Sequence, residues 1–325
     1  MFGRKYKGRR HTNILFVIFR LALSLTIFAV LLGGSYSAYK HFSGMDPLKL
    51  DPQLVLISLI KSKDLGEITQ KILGESQIPS KKENPKLLFS FMLVADSHND
   101  NSYLDKAIVQ AKERYPDIKF IIGLGDYSDV GTLNELRDTK AVLDGSGLRY
   151  FVMPGDHDLW DSRDKNLLPT ANFNQVFGPE YQLFDYENFR LVLLYNSDNY
   201  LGLGEVQKNW LKGELDKAIS DKSSGIFIFL HEPLFHPSSD HIMGRVEQNL
   251  KNEAGELIRL FKEKGVRKVL AGDIHFFTEY LEPFTQLSMV TIGALTTQRN
   301  TQAPRYGIGY VFEDGSIKVE DVEIK

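Results

Sequence analysis

The pattern of apolar and polar positions divides the chain into three parts. Residues 14–34 are almost entirely apolar, residues 35–85 mix short amphipathic stretches with prolines, and residues 86–325 alternate apolar runs with helical patterns. A short continuous apolar run is typical of a strand that is covered on both faces. Strands that alternate with helices predict α/β layers for the third part.

Five apolar runs in the third part predict strands: LLFSFMLVA, IKFIIGLG, LRYFVM, GIFIFLH and VRKVLAG. Helical periodicity predicts helices in four segments between or beside them: DKAIVQAKERY, LNELRDTKAVLD, EVQKNWLKGELDKAI and GELIRLFKEKG. YQLFDYENFRLVLLYNS has the pattern of a hairpin, and LSMVTIG, GIGYVFE and SIKVEDVE predict short strands near the end. We expect this strand-rich tail to add a second sheet.

The first apolar segment has the length of a membrane span. The nineteen residues from Ile14 to Leu32 would reach roughly 28 Å as a helix, close to the ~30 Å hydrocarbon core of a bilayer. Arg20 is its one charge and can reach the interface. We therefore expect a transmembrane anchor at residues 14–34, with a cleaved signal peptide and a buried helix of a soluble protein as the alternatives.

The charged residues around this span predict its orientation. Five basic residues precede it in residues 1–13, and Lys40 is the first basic residue after it. The positive-inside rule predicts a single-pass cell-membrane protein with a cytoplasmic N-terminus. Residues 35–85 would form a stalk, and the domain of residues 86–325 would be extracytoplasmic; the inverted topology is the alternative.

The amino-acid composition limits the kinds of site that the protein can contain. The chain has no cysteine, which excludes disulfides, thiolate metal ligands and thiol nucleophiles. Its net charge of −3 gives no reason to expect nucleic-acid binding, and the basic N-terminus is better explained as a topology signal.

All five predicted strands lead into side chains that can bind metal. The sequences at these strand ends are Asp96-Ser97-His98, Gly125-Asp126-Tyr127-Ser128-Asp129, Gly155-Asp156-His157-Asp158, His231-Glu232-Pro233 and Gly272-Asp273-Ile274-His275. A single Asp after a strand is usually a turn or capping residue. Five such ends are a stronger signal, because open α/β sheets bind ligands beyond the carboxyl ends of their strands. Carboxylates and imidazoles suit a two-metal site for Mn, Fe, Zn or Co.

The order of these motifs, D-x-H, G-D-x-x-D, G-D-H-D, an isolated His and G-D-x-H, resembles that of calcineurin-like metallophosphoesterases. The resemblance covers residues 86–325 and includes Gln207-x-x-Trp210-Leu211. It implies a two-sheet α-β-β-α sandwich, two divalent metal ions and a phosphate mono- or diester substrate.

The resemblance also implies roles for nine residues. The first metal ion would be held by Asp96, His98 and His275, the second by Asp156, His231 and Asp273, and both by the bridging Asp126. A metal-bridging hydroxide would attack phosphorus in line, and His157 would assist the leaving group. Asp129 would hydrogen-bond His157 and hold its tautomer.

Two positions depart from the family pattern. Asp156 stands where Asn is usual, and Asp273 where the first His of G-H-x-H is usual. Four ligand carboxylates would balance two divalent ions, whereas the family's two leave a charge of +2. We therefore expect Mn or Mg rather than Zn at the second position, with Mn favoured over Fe, Mg and Zn overall. We also expect a less acidic bridging water and a preference for diesters.

The same departures motivate an alternative from another class, a catalytically degenerate binding or regulatory module at the cell surface. His157 and Asp126 argue against it, because a module without catalysis needs neither. In the loop after the fourth motif, His236 and His241 read as solvated histidines. In the third motif, Asp158 reads as a loop cap.

Overall fold

The computed structural model describes residues 85–325 and six helical residues of the N-terminal segment: Thr26, Phe28, Val30, Gly33, Gly34 and Ser37. The predicted anchor at residues 14–34 and the predicted stalk at residues 35–85 lie almost wholly outside the described residues. Among the residues that are described, no helix combines the length and apolar character that crossing a bilayer requires.

The first sheet has five strands in the order β11-β10-β1-β2-β3. They are β1 (Leu87–Val94), β2 (Ile118–Gly123), β3 (Arg149–Val152), β10 (Arg305–Phe312) and β11 (Ile317–Glu323). β1, β2 and β3 are parallel, and β10 joins the other side of β1 in antiparallel register. The expectation that the tail adds a second sheet is thus wrong for its last two strands, because β10 completes the free edge of β1.

The second sheet has six strands in the order β4-β5-β6-β7-β9-β8. They are β4 (Gln182–Tyr186), β5 (Phe189–Leu193), β6 (Gly225–Leu230), β7 (Lys268–Ala271), β8 (Thr278–Leu281) and β9 (Ser288–Thr291). β5, β6, β7 and β9 are parallel. β4 and β5 form the predicted hairpin.

Helices cover both sheets. They are α1 (Asn101–Arg114), α2 (Leu133–Gly145), α3 (Trp160–Asp164), α4 (Ala171–Phe177), α5 (Gly204–Ser220) and α6 (Leu250–Glu263). The core of the first sheet's outer face includes α1, α2 and α4, and that of the second sheet's outer face includes α5 and α6.

The alternation of side chains in β1 explains the layering. Phe89, Phe91 and Leu93 pack against residues of the second sheet in the core between the sheets. Met92 and Val94 point to the opposite face and pack with α1 and α2. β1 is therefore buried on both sides, and the fold is the predicted α-β-β-α sandwich. The carboxyl ends of β1, β2, β3, β6 and β7 bring all five motifs together.

Candidate metal centre

The loops that carry the motifs have an unusual backbone. Five predicted ligands have positive φ angles between 42° and 68°: Asp96, His98, Asp126, Asp273 and His275. Residues with a side chain avoid this left-handed region, and Asn, Asp and His are the ones found in it most often. Each such residue costs on the order of 1–3 kcal/mol and persists only where neighbours enforce it. Such residues cluster at functional sites, and here all five lie in the loops where the motifs meet.

Hydrogen bonds between the loops enforce this backbone. The amide N–H groups of Asp96 and His98 donate to the carbonyls of Gly125 and Asp126, each at 3.0 Å. The amide of Asp273 donates to the Asp96 carboxylate at 3.1 and 3.2 Å. The first, second and fifth motifs therefore hold one another in position.

Two glycines let the loops approach Asp126 closely. Gly125 has a φ of +96°, and a Cβ there would come within 2.5 Å of the Gly155 nitrogen. A Cβ on Gly155 would lie 2.0 Å from the Asp126 Oδ1 atom. The absence of a side chain at these two glycines therefore admits the Asp126 carboxylate into the cleft.

Asp126 lies at the middle of the cluster. Its Oδ2 atom is 3.6 Å from His98 Nε2, and its Oδ1 atom is 3.5 Å from His231 Nε2. The His157 amide donates to Oδ1 at 3.0 Å. The two oxygens of one buried carboxylate thus face two different groups of ligands, an arrangement that suits a carboxylate shared by two cations.

The first group consists of Asp96, His98 and His275. The Nε2 atoms of the two histidines are 3.1 Å apart. Because His275 Nδ1 contacts the Gln298 carbonyl at 3.3 Å, it carries the proton and leaves Nε2 as a lone-pair donor. Burial lowers the pKa of His98 to about 2 and that of His275 to about 4, so both rings are neutral and ready to bind a cation.

The second group consists of Asp156, His231 and Asp273. His231 Nδ1 donates to the Leu124 carbonyl at 2.8 Å, which directs Nε2 toward the carboxylates. Nε2 lies 3.6 Å from Asp156 Oδ1 and 3.8 Å from Asp273 Oδ1. It is buried and has no hydrogen-bond partner within the described part of the chain.

This spacing fits a shared cation. Bonds of about 2.1 Å place two ligands of one ion about 3.0–4.2 Å apart. The distances of 3.5–3.8 Å around His231 Nε2 are too long for hydrogen bonds but lie within that range.

The charges of the cluster also favour cations. Burial, together with the neighbouring carboxylates, raises the pKa of Asp96 to about 8 and that of Asp126 well above its usual value. Burial opposes protonation of His231, but the Asp126, Asp156 and Asp273 carboxylates outweigh it and raise its pKa. Buried anions at this density need compensating positive charge, and divalent ions bound at these oxygens and nitrogens would supply it.

His157 lies beside the first group. One of its ring nitrogens is within 4.8 Å of ligand atoms of His98 and Asp126. Its Nδ1 donates to the backbone carbonyl of Asp129 at 2.7 Å, and its ring stacks on Trp160 with centroids 3.9 Å apart. The predicted hydrogen bond to Asp129 is present, but it uses the carbonyl. The Asp129 carboxylate instead accepts from Asn99 and lies 4.0 Å from His98 Nδ1.

Asp158 is buried and accepts hydrogen bonds from two of the motif loops. Its carboxylate accepts hydrogen bonds from the backbone of Tyr127, Ser128 and Gly155 at 2.9–3.1 Å, and from the Ser128 hydroxyl at 2.6 Å. It therefore joins the second motif to the third. This is the capping role that the sequence suggested, carried out between two loops.

We expect Asp158→Ala to lower the free energy of unfolding by about 3–5 kcal/mol, because three buried amides would lose their acceptor at about 1–3 kcal/mol each. Urea unfolding of the metal-free protein measures the change. Asp138→Ala, at an exposed position of α2, is the matched control and should change stability by less than about 0.5 kcal/mol. A loss below about 1 kcal/mol in Asp158→Ala would contradict this role.

A cavity of about 240 Å³ opens beside the second group, and the residues that line it include Asp156, Asn199, Glu232, His241, Arg245 and Asp273. Asn199 donates to the Asp156 carboxylate at 3.2 Å. The Oε2 atom of Glu232 is buried without a hydrogen-bond partner among residues 85–325. Glu232 belongs to the fourth motif, but the sequence indicated no role of its own for it. Asn199 was not predicted, although it follows β5 in the chain and the strand-end rule would have indicated it.

Comparison with known proteins agrees with this geometry. The family model for calcineurin-like phosphoesterases matches residues 89–277. The serine/threonine-protein phosphatases CPPED1 of Danio rerio and Rattus norvegicus are 26% and 25% identical over 196 and 210 residues. These alignments cover 55% and 60% of this chain and 62% and 64% of the relatives, which is less than two thirds of their length.

Among solved structures, a purple acid phosphatase from yellow lupin (Lupinus luteus) seeds aligns with a TM-score of 0.55. The alignment covers 74% of this chain and 52% of the lupin chain, at 13% sequence identity. At this identity the likeness concerns the fold alone.

Proposed function

Since this chain belongs to the calcineurin-like phosphoesterase family, we propose that it hydrolyses phosphate esters with two divalent metal ions. The observation that carries the proposal is Asp126. Its two carboxylate oxygens face two separate groups of buried ligands, at 3.6 Å from His98 and 3.5 Å from His231. A single metal position would not need this arrangement.

In the proposed mechanism the metal ions, when bound, supply Lewis acidity and an activated water for in-line attack on phosphorus. Asp126 would contribute a ligand to both metal positions. His157 assists the leaving oxygen, because its Nδ1 is held by the Asp129 carbonyl and its other nitrogen can carry a proton to that oxygen. No residue forms a covalent bond to the substrate in this scheme.

We further propose manganese as the favoured metal and diesters as the favoured substrates. Four carboxylates, Asp96, Asp126, Asp156 and Asp273, gather at the centre, so two divalent ions leave no excess positive charge to attract a dianion. Arg245 lines the cavity and adds one positive charge, which suits a monoanionic diester. Oxygen-rich sites favour Mn over Zn.

The test uses the full-length protein, purified with detergent and treated with a chelator. We expect hydrolysis of bis(p-nitrophenyl) phosphate to disappear on chelation and to return with Mn²⁺ more fully than with Zn²⁺. p-Nitrophenyl phosphate should be the poorer substrate by kcat/KM. A preference for the monoester would overturn the diester proposal, and a folded, metal-loaded protein that cleaves neither compound would favour the binding module.

We also propose that residues 14–34 anchor the protein in the cell membrane, with residues 1–13 in the cytoplasm and the metal centre outside. The support is the apolar length of the segment and the five basic residues before it. A phosphatase reporter fused to the C-terminus, active only outside the cytoplasm, should be active, and a silent but stable fusion would overturn the topology.

A further inference from the structure

His241 occupies a position that the family resemblance does not explain. It lies in the irregular segment between β6 and α6 and lines the cavity beside the second ligand group. Its Nδ1 atom is 3.2 Å from Asp273 Oδ1. The same oxygen is 3.8 Å from His231 Nε2, so it is the oxygen of Asp273 that faces the proposed metal position.

The segment around His241 is anchored on both sides. The Met243 amide donates to the Pro233 carbonyl at 2.9 Å, and the Met243 side chain is fully buried in the core. Before it, the His241 amide donates to the Ser239 hydroxyl at 3.0 Å. The His241 imidazole, which is 35% exposed, is therefore held at the rim of the site by its backbone.

We propose that His241 is an additional ligand of the second metal ion and supplies the imidazole that Asp273 has replaced in the fifth motif. This rests on the proposed dinuclear function. The 3.2 Å between His241 Nδ1 and Asp273 Oδ1 matches the 3.1 Å between the two Nε2 atoms in the first group. Both distances suit two ligands on one ion with bonds of about 2.1 Å.

The choice of oxygen argues against a purely supporting role. His241 contacts the Asp273 oxygen that faces the metal position, and it therefore lies where another ligand of the same ion would lie. With His241, the second ion would have three carboxylates and two imidazoles: Asp126, Asp156, Asp273, His231 and His241.

Affinity alone cannot separate a ligand from a supporting residue, because loss of an outer partner also weakens metal binding about 10–100-fold. The decisive readout is the number of coordinated imidazoles. In the Co²⁺-loaded full-length protein, each coordinated histidine contributes one exchangeable N–H proton with a large paramagnetic shift. We expect His241→Ala to lose one such resonance and to bind its second ion at least tenfold more weakly.

Gln248→Ala, in the same segment and exposed, is the control and should keep every resonance and both affinities. The double variant Asp273→His/His241→Ala restores the usual fifth motif and should regain the lost resonance and bring the second affinity to within about threefold of wild type. An unchanged set of resonances in His241→Ala would overturn the inference while leaving the dinuclear function intact. A wild-type protein that binds fewer than two ions would overturn both.

Discussion

Asp126→Asn should reduce kcat/KM for the diester substrate by about 10³-fold or more, equivalent to about 4 kcal/mol of transition-state stabilisation. The reason is geometric. The two oxygens of Asp126 face His98 and His231 separately, and an amide offers only one oxygen to bind a cation. At least one metal position should therefore lose affinity, and metal analysis should find fewer than two ions per chain.

We expect this loss of activity without a loss of folding. Burial raises the pKa of Asp126, so its ionised form destabilises the metal-free fold, and the neutral amide should leave the melting temperature equal or higher. Asp138→Asn makes the same exchange on the exposed surface of α2 and should leave activity and metal content unchanged. Two tightly bound ions in Asp126→Asn, with kcat/KM within tenfold of wild type, would refute a bridging role.

Local patterns predicted the elements that carry the site. LLFSFMLVA became β1, GIFIFLH became β6, and the helical segment after Thr132 became α2. A strand covered on both faces needs no alternation, so a continuous apolar run identifies it, and a capping box on Thr132 and Glu135 begins α2 at the predicted residue. Because parallel strands end at one edge of their sheet, β1, β2 and β3 bring three motifs together, and β6 and β7 bring the other two together. The packing of the two sheets then joins the two sets.

What sequence could not predict depends on contacts between distant segments. β10 pairs with β1 across more than 200 residues, and nothing local to either strand specifies that neighbour. For the same reason, His241 read as a solvated loop residue although it contacts Asp273. The hydrogen-bond acceptor of His157 is a backbone carbonyl. Every residue has such a carbonyl, so the amino-acid sequence does not indicate which one accepts the bond.

His157→Ala should lower kcat by about 10²–10⁴-fold for diesters with poor leaving groups, the usual range for the loss of a general acid. The effect should shrink to about tenfold or less for a dinitrophenyl leaving group, which departs without a proton. Metal content should stay at the wild-type value, because the two ligand groups around Asp126 are complete without His157. Kinetics across a series of leaving groups with different pKa values measure this dependence.

Metal content and leaving-group dependence, measured together, distinguish the role of His157 from that of the metal ligands. A ligand variant should lose metal and slow every substrate alike, whereas His157→Ala should keep its metal and slow substrates in proportion to leaving-group basicity. Asp129→Asn provides the companion control, because His157 is held by the Asp129 carbonyl, which this substitution retains. Its leaving-group dependence should match wild type. An equal loss for good and poor leaving groups in His157→Ala would show that His157 acts through binding or charge, without transferring a proton.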